Sequence, residues 1–408
     1  MEEISFQAPQ NRRLFVVLTI QEGLFMKKNL YILYGIALLQ GMVFYGPIAT
    51  LYRQAQGVSV LEITIIESIS LALSILLEVP WGVLADRIGY RRTMIFCSGL
   101  YFISKIVFWQ ANGFADFLLE RIMLSIVLAG FSGVDSSILY LSCQGQDSQK
   151  AFGIYNSMGM VGLLMAAGVF SVLIKDNYSL AGFLTVISYG LAALLSLGLT
   201  EVKETTAEAV RPEPFRTTLQ STLRNRTFLL FLVGVAFLSE THQTITVFLN
   251  QFQYTRCGMS NTAIGILYIV ATLLGLLGVY SAAVTNRLGT KCSFFLFCGL
   301  AAVACLALAV TARALPSVLG ILILRFSNTL FQPFQSEIQN RQIQTENRAT
   351  ALSIHSMLIS FVAIGTNLVF GALSDWSLPA AFFFGGSICV LGLIFFLIWY
   401  RVSGRAAT

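Results

Sequence analysis

Charged side chains are scarce in this 408-residue chain: Asp, Glu, Lys and Arg make up 11% of it, against 56% hydrophobic residues. An ordinary soluble domain carries roughly a quarter charged residues. A water-facing globule of this length is therefore excluded, because it could not cover its surface. No phosphate-binding loop of the G-x-x-x-x-G-K-[ST] type occurs, so ATP hydrolysis by that device is excluded as the energy source. The seven cysteines are odd in number; Cys97, Cys143, Cys292, Cys298, Cys305 and Cys389 fall in apolar runs and only Cys257 in a loop. That distribution implies no disulfide framework, and the six read as small hydrophobes in helix packing. Histidine occurs twice, and a lone His242 is more readily a packing or hydrogen-bonding residue than a proton carrier. No metal site, cofactor or enzymatic activity is expected.

Apolar runs are abundant instead. Twelve are long enough to span a bilayer: 30–51, 59–84, 93–112, 117–141, 151–173, 180–199, 227–252, 262–284, 293–311, 315–338, 350–373 and 380–400. A polar stretch, 201–226, with Pro212 and Pro214, separates the sixth run from the seventh and reads as a cytoplasmic linker between halves 1–200 and 227–408. With the amino terminus inside, nineteen Lys and Arg face the cytoplasm; five face outward, namely Arg53, Arg121, Lys175, Arg256 and Arg313. The positive-inside rule then predicts a plasma-membrane protein with both termini cytoplasmic. The net charge of +6 is this bias, so no nucleic-acid partner is implied. Residues 1–26 are expected to lie on the membrane surface or to be an extension ahead of a natural start at Met26.

Between the second and third runs stands Gly82-Val83-Leu84-Ala85-Asp86-Arg87-Ile88-Gly89-Tyr90-Arg91-Arg92. Two glycines permit a tight turn, and the charges keep it out of hydrocarbon. The segment resembles the loop between helices two and three of the major facilitator superfamily of transporters, written G-x-L-a-D-r-x-G-r-k, with Tyr90 departing from the usual basic residue. A copy, Ala282 to Lys291, lies 200 positions on, with Asn286 in place of Asp86. The same displacement maps Gln40 to Glu240, Asp135 to Gln335 and Ala151 to Ala351. A 200-residue period in a chain of this length is a duplicated half. The resemblance implies an all-α membrane protein of bacterial type, with 12 transmembrane helices in two pseudo-symmetric six-helix halves around a central cavity. It also implies a gate at this loop, formed by Gly82, Asp86, Arg87, Gly89 and Arg91. Asp86 would cap the eleventh helix near Arg348, and Glu78 would join the gate from the second helix.

Polar residues inside apolar runs mark a site by default. Arg325, Asn328, Gln332 and Gln335 share one face of the tenth run; Ser125, Leu128, Ser132 and Asp135 occupy the displaced positions in the fourth. Helices four and ten line the cavity in the resembled superfamily, although polar contacts that merely join helices are the alternative. In the seventh run, Glu240, Gln243, Thr244, Asn250 and Gln251 fall close to one face. Glu240 and Arg325 lie at matched depth near the midplane, which suggests an acid–base pair that forms and breaks. Glu67, Ser70, Ser74 and Glu78 share a face of the second run, where Glu67 could pair with Lys105 unless Lys105 snorkels outward. Gln40, Tyr45, Ser132, Gln243, Asn328, Gln332 and Gln335 are the substrate-binding candidates; Glu240, Arg325, Asp135 and Glu67 are those for proton coupling. Two features of drug/proton exchangers are missing: a Gly-Pro pair in the fifth helix, and a glycine four residues after Arg121, where Ser125 stands.

These observations predict a monomeric secondary transporter that moves a small molecule through the bilayer by alternating access, coupled to protons. Export is favoured because Phe44, Tyr45, Phe248 and Phe331 interleave with the polar stripes. The alternatives are an uptake symporter of a polar nutrient, or a non-transporting sensor or scramblase on the same scaffold.

Overall fold

The computed structural model describes residues 28–131, 134–143, 148–202, 215–342 and 348–406. Within them, eleven helical stretches are long and apolar enough to cross a membrane. One of these, Asn261–Val310, is 50 residues long, about 75 Å of helix against a hydrocarbon core of about 30 Å. It divides at Gly289, whose φ of 74° no α-helix contains. The spanning helices therefore number twelve: α1 (Lys28–Ala55), α2 (Val60–Ile88), α3 (Tyr90–Gln110), α4 (Phe114–Cys143), α5 (Lys150–Ile174), α6 (Tyr178–Ser196), α7 (Arg226–Arg256), α8 (261–288), α9 (290–310), α10 (Ala314–Gln342), α11 (Arg348–Trp376) and α12 (Leu378–Ala406). A short linker helix, Phe215–Arg224, packs against α7 and α11.

Gly89 turns the chain between α2 and α3 with φ 91°, and Gly289 does the same 200 residues later. Only glycine adopts these angles without strain, so the duplicated loop is a duplicated backbone conformation. Helices α1 and α5 approach backbone to backbone, since a Cβ at Gly162 would overlap the Leu38 carbonyl and one at Gly41 that of Gly159. Small residues serve this purpose where apolar lipid gives no drive for helix association.

Four helices that meet between the halves depart from α geometry. Helix α1 breaks over 42–48, ending in a 3-10 turn at Gly46–Ile48. Helix α5 ends in a π-turn, Phe170–Ile174; α7 carries one at Thr244–Leu249; α8 tightens to 3-10 at Gly275–Tyr280. By contrast, α2 and α11 are α-helical throughout and make the most extensive contact between halves. The other contacts run α5 to α8 and α1 to α7 and α8.

Hydrogen bonds tie the halves together at one end of the bundle. Gln251 Oε1 of α7 accepts from the Thr50 and Leu51 amides at 2.9 and 3.2 Å, where α1 resumes after its break. Asp375 at the end of α11 accepts from the Val60 and Leu61 amides at 3.0 and 3.2 Å, capping α2. Asn261 at the start of α8 donates to Asp176 Oδ1 at 2.9 Å and to the Tyr178 hydroxyl at 3.1 Å. Towards the other end, a groove of about 230 Å³ parts α2 and α4 from α11. Gln332 and Ser336 of the α10 polar face are also exposed. The bundle is sealed at the end of Thr50, Val60 and Gln251 and parted at the end of the glycine turns.

Candidate substrate site and its charged neighbours

The first half encloses an ionic interior that hydropathy places elsewhere. Arg53 and Arg121, counted above with the outer-face loops, lie inside the bundle. Arg53 is 6% exposed and its Nη1 sits 3.3 Å from Glu67 Oε1, while Arg121 pairs with the other oxygen of Glu67. Removing both from the tally leaves three outward basic residues against nineteen. Lys105 pairs with Glu120 at 2.8 Å and not with Glu67, nor does it snorkel. Its ammonium is 5.2 Å from the Tyr101 ring centre, 5.7 Å from Tyr189 and 5.9 Å from Tyr45. Such a cage replaces part of the lost hydration of the cation. Arg53, Glu120 and Arg121 escape a hydropathy reading because they stand at the margins of apolar runs. The adjacent Glu120-Arg121 pair within the fourth run is the signal that could reveal them.

In the second half, Glu240 and Arg325 do not pair in this conformation. The Thr244 hydroxyl, one turn along α7, donates to Glu240 Oε1 at 2.7 Å. Glu240 is 7% exposed and pairs with no cation among the described residues. Arg325 is drawn away by a backbone carbonyl. Where α8 tightens, the Gly275 amide bonds to Thr272 in place of Ala271, and the freed Ala271 carbonyl accepts from Arg325 Nε at 3.3 Å. His242 bonds the Leu238 carbonyl of its own helix at 2.6 Å, as a packing residue does.

The polar face of α10 forms a ladder. Gln332 donates to Asn328 at 3.2 Å and to Ser239 of α7 at 3.4 Å; Gln335 donates to Gln332 at 3.1 Å, and Gln339, absent from the candidates, donates to Gln335. Gln243 is exposed. Gln40 has a buried side-chain nitrogen without a partner among the described residues, and its main-chain carbonyl accepts from the Tyr189 hydroxyl at 2.6 Å. Tyr45 is a core residue, stacked on Phe108 with centroids 3.9 Å apart. Asp135 accepts from the Tyr155 hydroxyl at 3.2 Å within its own half. A cavity of about 160 Å³ lies between the halves just inside the sealed end, bounded by α1, α5, α7, α8 and α10 and including Arg325.

At the glycine turn, the Arg91 amide donates to Glu201 at 3.2 Å and its Nε to the Leu199 carbonyl at 2.6 Å, binding the turn to the end of α6; Arg87 is exposed. Gly82 lies in helical backbone within α2, so the turn is made by Gly89 and not by both glycines; Ser132 and the side chains of Glu78, Asp86 and Arg348 lie outside the described residues.

Two six-helix halves, a polar seam and a cavity closed at one end define a membrane carrier. The chain belongs to the Major Facilitator Superfamily, whose sequence profile matches residues 30–342. Among curated proteins it is 26% identical over 179 residues to an uncharacterised MFS-type transporter of Methanocaldococcus jannaschii, a match covering 42% of this chain and 45% of that one. Among solved structures it resembles the nucleoside transporter NupG with a TM-score of 0.76 at 16% identity, covering 91% of this chain and 99% of that one. A bacterial homologue of the human lysosomal transporter Spinster, in an inward-facing unoccupied conformation, aligns with a TM-score of 0.69 at 16% identity over 93% and 97% of the two chains. A D-xylose–proton symporter aligns with a TM-score of 0.69 at 13% identity over 91% and 97%. Identities this low speak to the fold alone.

Proposed function

We propose that this chain is a proton-coupled secondary transporter of a small polar molecule in the plasma membrane, with both termini cytoplasmic and Glu240 as its proton carrier. The halves 1–200 and 227–408 rock about the seam, joined by the linker 201–226, and the conformation described is open to the cytoplasm. The observation that carries this reading is Glu240 itself. It is a buried carboxylate at the seam whose one hydrogen-bond donor among the described residues is Thr244. An unpaired intramembrane acid is costly and is retained for function, and a group that must gain and lose a proton is better served by a hydroxyl than by a fixed cation.

The case for export rests on four aromatic residues, of which Phe44, Tyr45 and Phe331 pack in the core and Phe248 alone lines the cavity. Thr50, Asn250, Gln251 and Arg325 set polar groups in an otherwise largely apolar wall, which supports uptake of a solute with a polar group together with the proton.

The test is Glu240→Gln in vesicles loaded with a pH-sensitive dye and offered a panel of small organic acids. Solute-dependent proton movement should be lost while solute exchange and expression persist. Proton movement undiminished in the variant overturns the assignment and transfers it to Asp135; a variant that fails to insert shows Glu240 to be structural.

A further inference from the structure

Arg325 makes one hydrogen bond with the described residues, through Nε to the Ala271 carbonyl. Its two terminal nitrogens have neither a carboxylate nor a hydrogen-bond acceptor among those residues, yet the side chain lines the closed cavity between the halves. No acidic residue among those described lines that cavity. A guanidinium held by Nε leaves its planar terminal fork free, and that fork matches the two oxygens of an acid group. Three hydroxyl-bearing residues, Thr50, Thr246 and Tyr268, line the same cavity. The Thr50 and Thr246 hydroxyls are buried without a partner among the described residues, and Thr50 is 1% exposed. Tyr268, whose hydroxyl likewise bonds to none of them, completes the wall from α8. Buried hydroxyls left unpaired are rare in folded proteins; two of them in one cavity with an uncompensated cation form a site waiting for an acceptor.

The rest of the wall is apolar, with Leu163, Val247, Phe248, Ile264 and Leu267. The cavity of about 160 Å³ is below the usual range for drug-sized ligands, roughly 300–1,000 Å³. We infer that the cavity binds a small organic monoanion, its acid group on the Arg325 fork and the hydroxyls of Thr50, Thr246 and Tyr268, its body against the apolar wall. One cation with no acidic residue among the described residues of the wall favours a single negative charge over two and disfavours cations. This assigns Arg325 to the solute and leaves the proton to Glu240. It rests on the transporter reading only for what the binding accomplishes; the binding itself does not depend on it.

The experiment uses the full chain in detergent, with thermal unfolding read in the presence of benzoate, phenyl phosphate, benzamide or benzylamine. Benzoate should raise the unfolding temperature in a saturable manner, phenyl phosphate less so, and benzamide and benzylamine not at all. Arg325→Gln should weaken benzoate binding at least roughly tenfold, the scale of a lost charge-assisted hydrogen bond, with Arg325→Lys intermediate. Thr246→Val, which leaves the arginine in place, should weaken it about threefold, at the lower edge for one hydroxyl. The exposed Arg341→Gln should change nothing. The inference is overturned if benzoate gives no shift, if benzamide or benzylamine shifts the protein as much, or if the benzoate shift survives in Arg325→Gln. Should Arg325→Gln not fold, an unchanged benzoate affinity in both Arg325→Lys and Thr246→Val overturns it equally. Benzoate binding without benzoate flux in sealed vesicles would refute transport and leave the binding site standing.

Discussion

Displaced by 200 residues, Glu67, Lys105, Glu120 and Arg121 of the first half correspond to Leu267, Cys305, Gly320 and Ile321 of the second. One half fills its interior with two acids and three bases knit into pairs. The other has no charge at those positions: Cys305 and Ile321 are buried there, and Gln253, at the position of Arg53, bonds the Thr311 carbonyl and the Ser317 hydroxyl. Both give the same six-helix fold, so packing volume and satisfied polar groups define the half-bundle while the residue chemistry is free to diverge. The ionic version is the more fragile. Paired charges away from water gain little over apolar groups of the same shape, but a charge left alone is heavily penalised.

The sharpest way to break that comparison is Lys105→Met, which strands Glu120. A loss of about 3–5 kcal/mol is expected, and the double variant Lys105→Met/Glu120→Met should recover most of it, as the uncharged second half implies. Thermal or denaturant unfolding of the two variants in detergent measures both; a single variant as stable as the parent would show that the ionic interior is not held by pairing. A smaller effect is expected at the seam. Gln251→Ala leaves the Thr50 and Leu51 amides without an acceptor, a cost of about 1–3 kcal/mol borne by the sealed conformation alone. Spin labels on the sealed ends of α1 and α7 should report longer distances in the variant.

The smallest contrast lies between two clasps related by the duplication. Asp375 holds the start of α2 through backbone amides, while Asp176 holds the start of α8 through the Asn261 side chain. A carboxylate on a helix start contributes roughly 0.3–1 kcal/mol, and an exposed side-chain contact less. Asp375→Asn should therefore shift the label distances more than Asp176→Asn, and equal shifts would remove the distinction.

The duplication, the twelve spans and the glycine turns are legible in the sequence because each depends on local composition and on a repeated register. Helix breaks are not. The step from α to 3-10 at Gly275 changes one amide's partner by a single residue, which no pattern of apolar residues records, and Arg325 goes to Ala271 because of it. The choice of Lys105 for Glu120 over Glu67 likewise depends on how α3 and α4 face each other, not on depth along either. The α10 polar face is legible as one stripe since a 3.6-residue period fixes it, but its extension to Gln339 passes beyond the inner end of the apolar run.

The non-α turns confine where the bundle can yield. With α2 and α11 regular from end to end and in the most extensive contact between the halves, they form a stiff bearing, and α1, α5, α7 and α8 are the sprung members around it. A π-turn or a 3-10 turn holds spare backbone geometry that can be wound in or let out by one residue without unmaking a helix. In the proposed cycle, opening of the sealed end is then shared between rocking about this bearing and bending at four short helix tips, so that the seal need not break as one rigid face.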